Sequence, residues 1–208
     1  MRPPERTRVR VSPGAPALLA VFVWLSSPEV LGAVLLAALC HELGHYAVLR
    51  SRGGWVRHME ISALGANMQV AGRLSYGSEL LAAAGGPAVN LLLAAALAAL
   101  GRWWEPLYLL AGAQGVLGCF NLLPILPLDG GRMLWLALCW RTDPFLADRM
   151  AGGVSLAAAG LLTVAGAALA RRSPFLLWTA AALLVCAAAP CIKRRKSVYA
   201  SGKREASA

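Results

Sequence analysis

The chain has little charge. Of its 208 residues only 14% are Asp, Glu, Lys or Arg, while 58% are hydrophobic. Soluble domains run to about 25% charged and about 45–50% apolar, so this composition excludes a water-soluble globule and points to a membrane protein. The five cysteines (Cys40, Cys119, Cys139, Cys186 and Cys191) lack CxxC spacing and lie in or beside apolar runs. They exclude a disulfide framework or a cysteine-held metal and read as small buried hydrophobes. Cys40 adjoins His41 but points about 100° away from it on a helix. No stretch between the apolar runs has room for a large soluble module. Histidine is rare, at three residues. A net charge of +10 would suggest nucleic acid in a soluble protein. Here the basic residues follow the loops between apolar runs, so the expected surroundings are a lipid bilayer and no nucleic-acid partner.

What is abundant is alanine, leucine and 21 glycines, which suits helices packing closely through small side chains. The pattern predicts an all-α polytopic membrane protein of about six transmembrane helices, with a short membrane-associated β-hairpin after the second. Residues 1–12, with Arg2, Arg6, Arg8 and Arg10, read as a basic solvated arm. Gly14–Leu25 resembles the apolar part of a signal peptide, but no small-x-small cleavage site follows, so it reads as a retained short first span. The second span covers about Val30–Leu49 and ends at Arg50, Arg52, Gly53 and Gly54. Over residues 55–70 the period changes to two. Met59, Ile61 and Ala63 alternate with His58, Glu60 and Ser62, and beyond Gly65 the residues Ala66, Met68 and Val70 alternate with Asn67 and Gln69, which predicts a hairpin. His58 belongs to that hairpin and is read as a strand or loop residue, not a ligand.

Further spans are predicted at about Glu79–Leu100, Leu107–Leu123, Met150–Ala170 and Phe175–Ile192. Trp103 and Trp104 fit an interfacial aromatic belt. Gly112, Gly115 and Gly118 form a small-residue packing face on the fourth span, with Gln114 expected to make a packing hydrogen bond. Asp143 before Pro144 reads as a helix N-cap in the connector over 133–148. The last two spans hold no ionisable residue and read as scaffold or lateral gate. From Lys193 the tail is basic and is expected to be disordered.

Two of the three histidines fall at His41-Glu42-Leu43-Gly44-His45, inside the second span. At 100° per residue His41 and His45 stand about 40° apart on one face, one turn apart. Two imidazoles so placed can share one Zn²⁺, and Glu42 beside them can serve as general base. A charged or strongly polar side chain near the bilayer centre costs about 2.5–3.5 kcal/mol, so such a cluster is seldom placed there without a task. Asp129, in Pro127-Leu-Asp-Gly-Gly131, has two readings: a turn residue at the membrane edge, or the third protein ligand that the histidine pair lacks. Pro124 and Pro127 break the fourth span, and irregular backbone at membrane depth persists only where protein or a wet cavity satisfies it. Asn90 likewise is either a helix-to-helix hydrogen bond or an amide that orients substrate.

With six spans, only Arg102, Arg171 and Arg172 of the 20 Lys and Arg residues fall on the side opposite both termini. Positive-inside bias then places the termini and the histidine-bearing end of the second span in the cytoplasm, with Asp129 on the same side at similar depth.

These residues together resemble the site-2 protease family of intramembrane zinc metalloproteases, in particular the branch containing stage IV sporulation protein FB. The resemblance covers roughly residues 10–140 and rests on His41–His45, on Gly86-Pro-Ala-Val-Asn90 as a Gly-x-x-x-Asn element, and on Asn121 through Gly131. It implies that His41, His45 and Asp129 bind one zinc ion and that Glu42 activates water. Gly86 and Asn90 are then expected close to the substrate or catalytic centre, and Asn121 near the third ligand. It also implies that the hairpin edge captures an unwound substrate strand, although Ser62-Ala-Leu-Gly-Ala66 departs from the Pro-Phe-Gly type common in relatives. No insertion is long enough for a PDZ domain, and the tail is too short for a nucleotide-sensing CBS domain.

The chain then divides into a basic cytoplasmic arm (1–12), a catalytic membrane core (13–140), two C-terminal scaffold or gate spans (141–192) and a basic disordered tail (193–208). The implied partners are a transmembrane protein or peptide substrate, such as a pro-sigma factor or another tethered regulator, and regulatory membrane proteins. The implied location is the cell membrane of a bacterium. The alternatives are a metal transporter using the same His/Glu/Asp cluster, or a non-catalytic family member acting as a membrane binding partner.

Overall fold

A computed structural model describes residues 8–11, 20, 23, 24, 26–62, 65–71 and 74–169. The predicted first span lies mostly outside these residues, and the sixth span and the tail lie entirely outside them. The chain divides into two compact units, one ending at Asn121 and one beginning at Leu122.

In the first unit, helix α1 runs over Pro28–Ser51. Ser27 caps it by accepting from the Val30 amide at 3.4 Å, and Pro28 occupies the first turn, where no backbone donor is needed. Its far end closes by Gly53 turning left-handed at φ 77°. The Gly54 amide then reaches the Leu49 carbonyl at 3.0 Å and the Gly53 amide the Arg50 carbonyl at 3.1 Å. This is a Schellman closure, and it is why the helix stops where Gly53-Gly54 predicts.

Strand β2 (Trp55–Ser62) pairs antiparallel with β3 (Gly65–Ala71), with Met59 opposite Met68 and a register shift between Val56 and His58. The N-terminal segment differs from expectation. Arg8–Val11 forms strand β1, parallel to β2 with Val9 opposite Met59, so part of the predicted solvated arm is bound into a three-stranded sheet of order β1-β2-β3. Its alternating Arg-Val-Arg-Val is a strand pattern that the basic composition hides.

Helix α2 (Tyr76–Leu100) is capped by Ser75, which accepts from the Ser78 amide at 3.2 Å, and carries Pro87 in its interior. Two glycines set its crossing with α1. A Cβ on Gly44 would fall 2.6 Å from the Gly85 carbonyl oxygen, and one on Gly85 would fall 2.7 Å from that of Gly44. Backbone therefore meets backbone at this point, which only glycine on both sides permits.

Helix α3 (Leu107–Asn121) packs on α2 through Gly118, against Asn90 and Leu91, and through Gly115, against Ala94. Gly112 is not part of this face. It is exposed, with nothing within 4 Å among the described residues, because the helical period selects Ala111, Gly115 and Gly118 instead. Gln114 is buried, but its Oε1 has no hydrogen-bond partner among the described residues, contrary to the packing bond expected of it. At 15 residues α3 is a shorter apolar helix.

The second unit begins with the irregular segment 122–128, followed by α4 (Asp129–Cys139) and α5 (Pro144–Leu169). Asp143 caps α5, its Oδ2 accepting from the amides of Phe145 at 3.0 Å and Leu146 at 3.3 Å. The predicted connector over 133–148 is thus partly helix, since α4 resumes directly after Leu128. Ile125, Leu128 and Ala159 form the buried core here, with Leu123, Leu156 and Leu162 packed around them. Among the described residues three helices, α1, α2 and Pro144–Ala168 of α5, are long and apolar enough to cross a membrane.

Candidate metal centre

His41 and His45 stand one turn apart on α1, and their rings meet edge to face with centroids 4.6 Å apart and planes at 86°. Their Nε2 atoms approach to 3.1 Å. His41 is buried and His45 half-buried.

The His45 ring is held from behind by α2. Its Nδ1 lies 2.8 Å from the Ala82 carbonyl oxygen, and the Gly86 amide nitrogen lies 3.3 Å from the same Nδ1. One ring nitrogen cannot donate to the first and accept from the second. The shorter contact decides, because a carbonyl oxygen only accepts. Nδ1–H therefore donates to Ala82, and the Nε2 lone pair faces His41. A backbone carbonyl on the far nitrogen is the usual device for fixing a ligand histidine's tautomer and aim.

Gly86 sits where α2 passes under that ring. A Cβ there would collide with Nε2, Cε1 and Cδ2 of His45, so the close approach requires glycine. Glu42 is half-buried and about 100° around α1 from His41. Asn90 is fully buried and donates from Nδ2 to the Ala37 carbonyl of α1 at 3.5 Å, while its Oδ1 has no partner among the described residues. In this conformation it bridges α1 and α2, the first of its two readings. Asn121 donates to the Leu117 carbonyl of its own helix at 3.1 Å.

Asp129 opens α4 and is half-buried. The positive end of the helix dipole favours its carboxylate there. It is a helix residue and not a turn residue, and Gly130-Gly131 serve a different purpose from the sharp turn predicted. Cβ atoms on them would strike the backbone of Leu122 and Leu123 and of Ile125 and Leu126, so the pair lets segment 122–126 lie directly on the first turn of α4.

That segment accounts for its own backbone. Pro124 and Pro127 have no N–H, the Ile125 amide donates to Leu123 at 2.7 Å, and the Leu128 amide donates to Ile125 at 2.7 Å. The Leu126 amide reaches outside the loop, to Oγ of Ser155 on α5 at 3.0 Å. Sequence reading passed over Ser155 as part of a featureless span. The available signal was a hydroxyl between Ala151 and Ala159, at helical spacing on one small-residue stripe.

Within the first unit, His41 and His45 bring two metal-type ring nitrogens together on one helix face. Two ligands about 2.0–2.1 Å from a tetrahedral zinc ion lie roughly 3.3 Å apart. The 3.1 Å between the two Nε2 atoms matches that demand, so the histidine pair fits the ion.

The sequence model of peptidase family M50 matches residues 95–165. The Rip3 proteins of Mycobacterium tuberculosis strains Erdman and H37Rv, each assigned as a zinc metalloprotease, are 34% identical over 159 residues, which is 68% of this chain. The chain spans 38% of the length of these relatives. The site-2 protease from Methanocaldococcus jannaschii superposes with a TM-score of 0.69 over 86% of this chain and 88% of that one, at 21% identity. The comparisons support peptidase family M50. The likeness to the archaeal protease, at 21% identity, shows a shared fold. The matched stretch 95–165 holds Asp129 and its loop, while the histidine pair lies upstream of it.

Proposed function

We propose that the chain is a zinc-dependent intramembrane endopeptidase of the site-2 protease type. It would hydrolyse peptide bonds within or at the edge of a transmembrane segment of a membrane-tethered protein. The observation that carries this reading is the His41–His45 pair, with Nε2 atoms 3.1 Å apart and His45 aimed by the Ala82 carbonyl. The likeness to M50 proteins supports it.

His41, His45 and Asp129 would hold the zinc ion, leaving a fourth position open. When bound, zinc would supply Lewis acidity and would lower the pKa of a water toward about 7. Glu42 takes the proton from the attacking water and returns it to the leaving amine. The Ala82 carbonyl keeps His45 in the tautomer that ligation needs, and α2 excludes bulk water from the ring behind it. A helical substrate hides its peptide carbonyls in hydrogen bonds, so it must unwind locally before cleavage. Among the described residues β3 is an edge strand, with β1 on the other side of β2, and that edge is the proposed acceptor for the extended segment. We further propose the six-span topology with cytoplasmic termini and the assignment to the sporulation protein FB-like branch. The tethered regulator, such as a pro-sigma factor, belongs to the same proposal.

The test is cleavage of a model transmembrane substrate by the purified protein in detergent. Glu42→Gln should lower turnover roughly 10²–10⁴-fold, the range for a general acid–base group, while zinc content stays at the wild-type level. Wild-type turnover in Glu42→Gln sinks the mechanism. Zinc uptake into proteoliposomes without proteolysis points to transport instead.

A further inference from the structure

We propose that Ser155, on the lipid-length helix α5, is a positioning residue for the metal ligand Asp129. The inference rests on the zinc-site reading above and extends it to a residue that touches neither metal nor substrate.

Three observations within the second unit carry it. First, Ser155 is buried at 1% exposure and both its hydrogen-bonding roles are engaged. Its Oγ accepts from the Leu126 amide at 3.0 Å and donates to the Ala151 carbonyl at 2.7 Å. The second bond fixes the rotor, so the lone pair is already aimed at the loop. Second, Leu126 is the one N–H between Pro124 and Leu128 that the loop does not satisfy itself. In a part-buried setting that donor still needs a partner, and Ser155 is it. Third, the attachment continues one turn along α5, where Ala159 packs against Ile125 and Leu128. Leu128 is the residue immediately before Asp129.

The chain of constraint is therefore short. Ser155 and Ala159 hold Leu126 and Leu128, and the loop backbone rests on Gly130 and Gly131 with no space for a Cβ. Asp129, between Leu128 and Gly130, is clamped on both sides. Without the hydroxyl, the Leu126 amide must find water or another acceptor. The loop then shifts, and the carboxylate moves with it.

The experiment uses the full chain in detergent, loaded with Co²⁺ as a spectroscopic stand-in for zinc. It compares wild type, Ser155→Ala, Ser155→Cys, Ser155→Thr and His41→Ala. Ser155→Ala should release Co²⁺ to a chelator about tenfold faster, in line with loss of an outer support of a metal ligand. Its visible absorption should change and kcat should fall with KM unaltered, while Ser155→Thr, which keeps the hydroxyl, restores the wild-type spectrum. Ser155→Cys, similar in volume but a weaker acceptor, should release metal faster than wild type even if the alanine protein does not fold. Equal release and identical spectra for wild type, Ser155→Ala and Ser155→Cys overturn the positioning role alone. If wild type and His41→Ala take up Co²⁺ alike, the zinc-site reading fails and this inference falls with it.

Discussion

Alanine at position 86 should separate metal affinity from stability. The added Cβ would overlap Nε2, Cε1 and Cδ2 of His45, so either the ring swings away or α2 moves back from α1. The second course is resisted one residue away, where Gly44 and Gly85 already touch backbone to backbone. Swinging the ring breaks the 2.8 Å bond from Nδ1 to the Ala82 carbonyl and turns Nε2 away from His41. Overpacking costs about 1–3 kcal/mol, but replacing a helical glycine by alanine returns about 1 kcal/mol of helix propensity. Net stability should thus fall by no more than about 2 kcal/mol. Zinc affinity, by contrast, should fall about 10–100-fold, as expected when a ligand histidine loses its outer partner. Competition against a chromophoric chelator measures the affinity, and thermal unfolding of the metal-free protein measures the stability. Gly112→Ala is the control, being exposed with nothing within 4 Å among the described residues, and should leave affinity unchanged. Wild-type zinc affinity in Gly86→Ala would show that the ring is not aimed by this contact.

Two further outcomes follow from the same geometry. Gly44→Ala places a Cβ against the Gly85 carbonyl and should destabilise the protein by about 1–3 kcal/mol, read as a lowered denaturation midpoint in detergent. Asp129→Ala should weaken zinc binding beyond the roughly 10–100-fold cost of an outer partner, since the proposed ligand itself is removed. Metal content after dialysis checks this, and full retention would exclude Asp129 as a ligand.

The histidine pair was legible because helical spacing is a property of sequence alone. Residues four apart on an apolar run share a face whatever packs against it. The end of α1 was legible for a similar reason, since Gly53-Gly54 supplies the left-handed closure locally. Asp143 as a cap was equally local. Asp129 was only half legible. Its place after a proline-broken segment drew attention, but whether it sits in a turn or opens a helix depends on what lies against Gly130 and Gly131. The packing face of α3 was misassigned at Gly112 because a run of glycines does not say which of them meets a neighbour. Strand β1 was read as a free arm because its pairing with β2 spans about fifty residues of sequence.

Sequence by itself therefore determined the apolar character of the spans, the proposed ligand types and their spacing along one helix. Hydropathy and the 3.6-residue period require no partner to be read. Tertiary structure alone decided which carbonyl orients His45, which glycines must remain glycine, and that Ser155 holds the loop before Asp129. Each of these is a contact between segments distant in the chain. Its existence depends on helix crossings that no local pattern encodes. The motif His41-Glu-Leu-Gly-His45 states what can bind a metal, and the packing of α2 behind it states in which tautomer and direction.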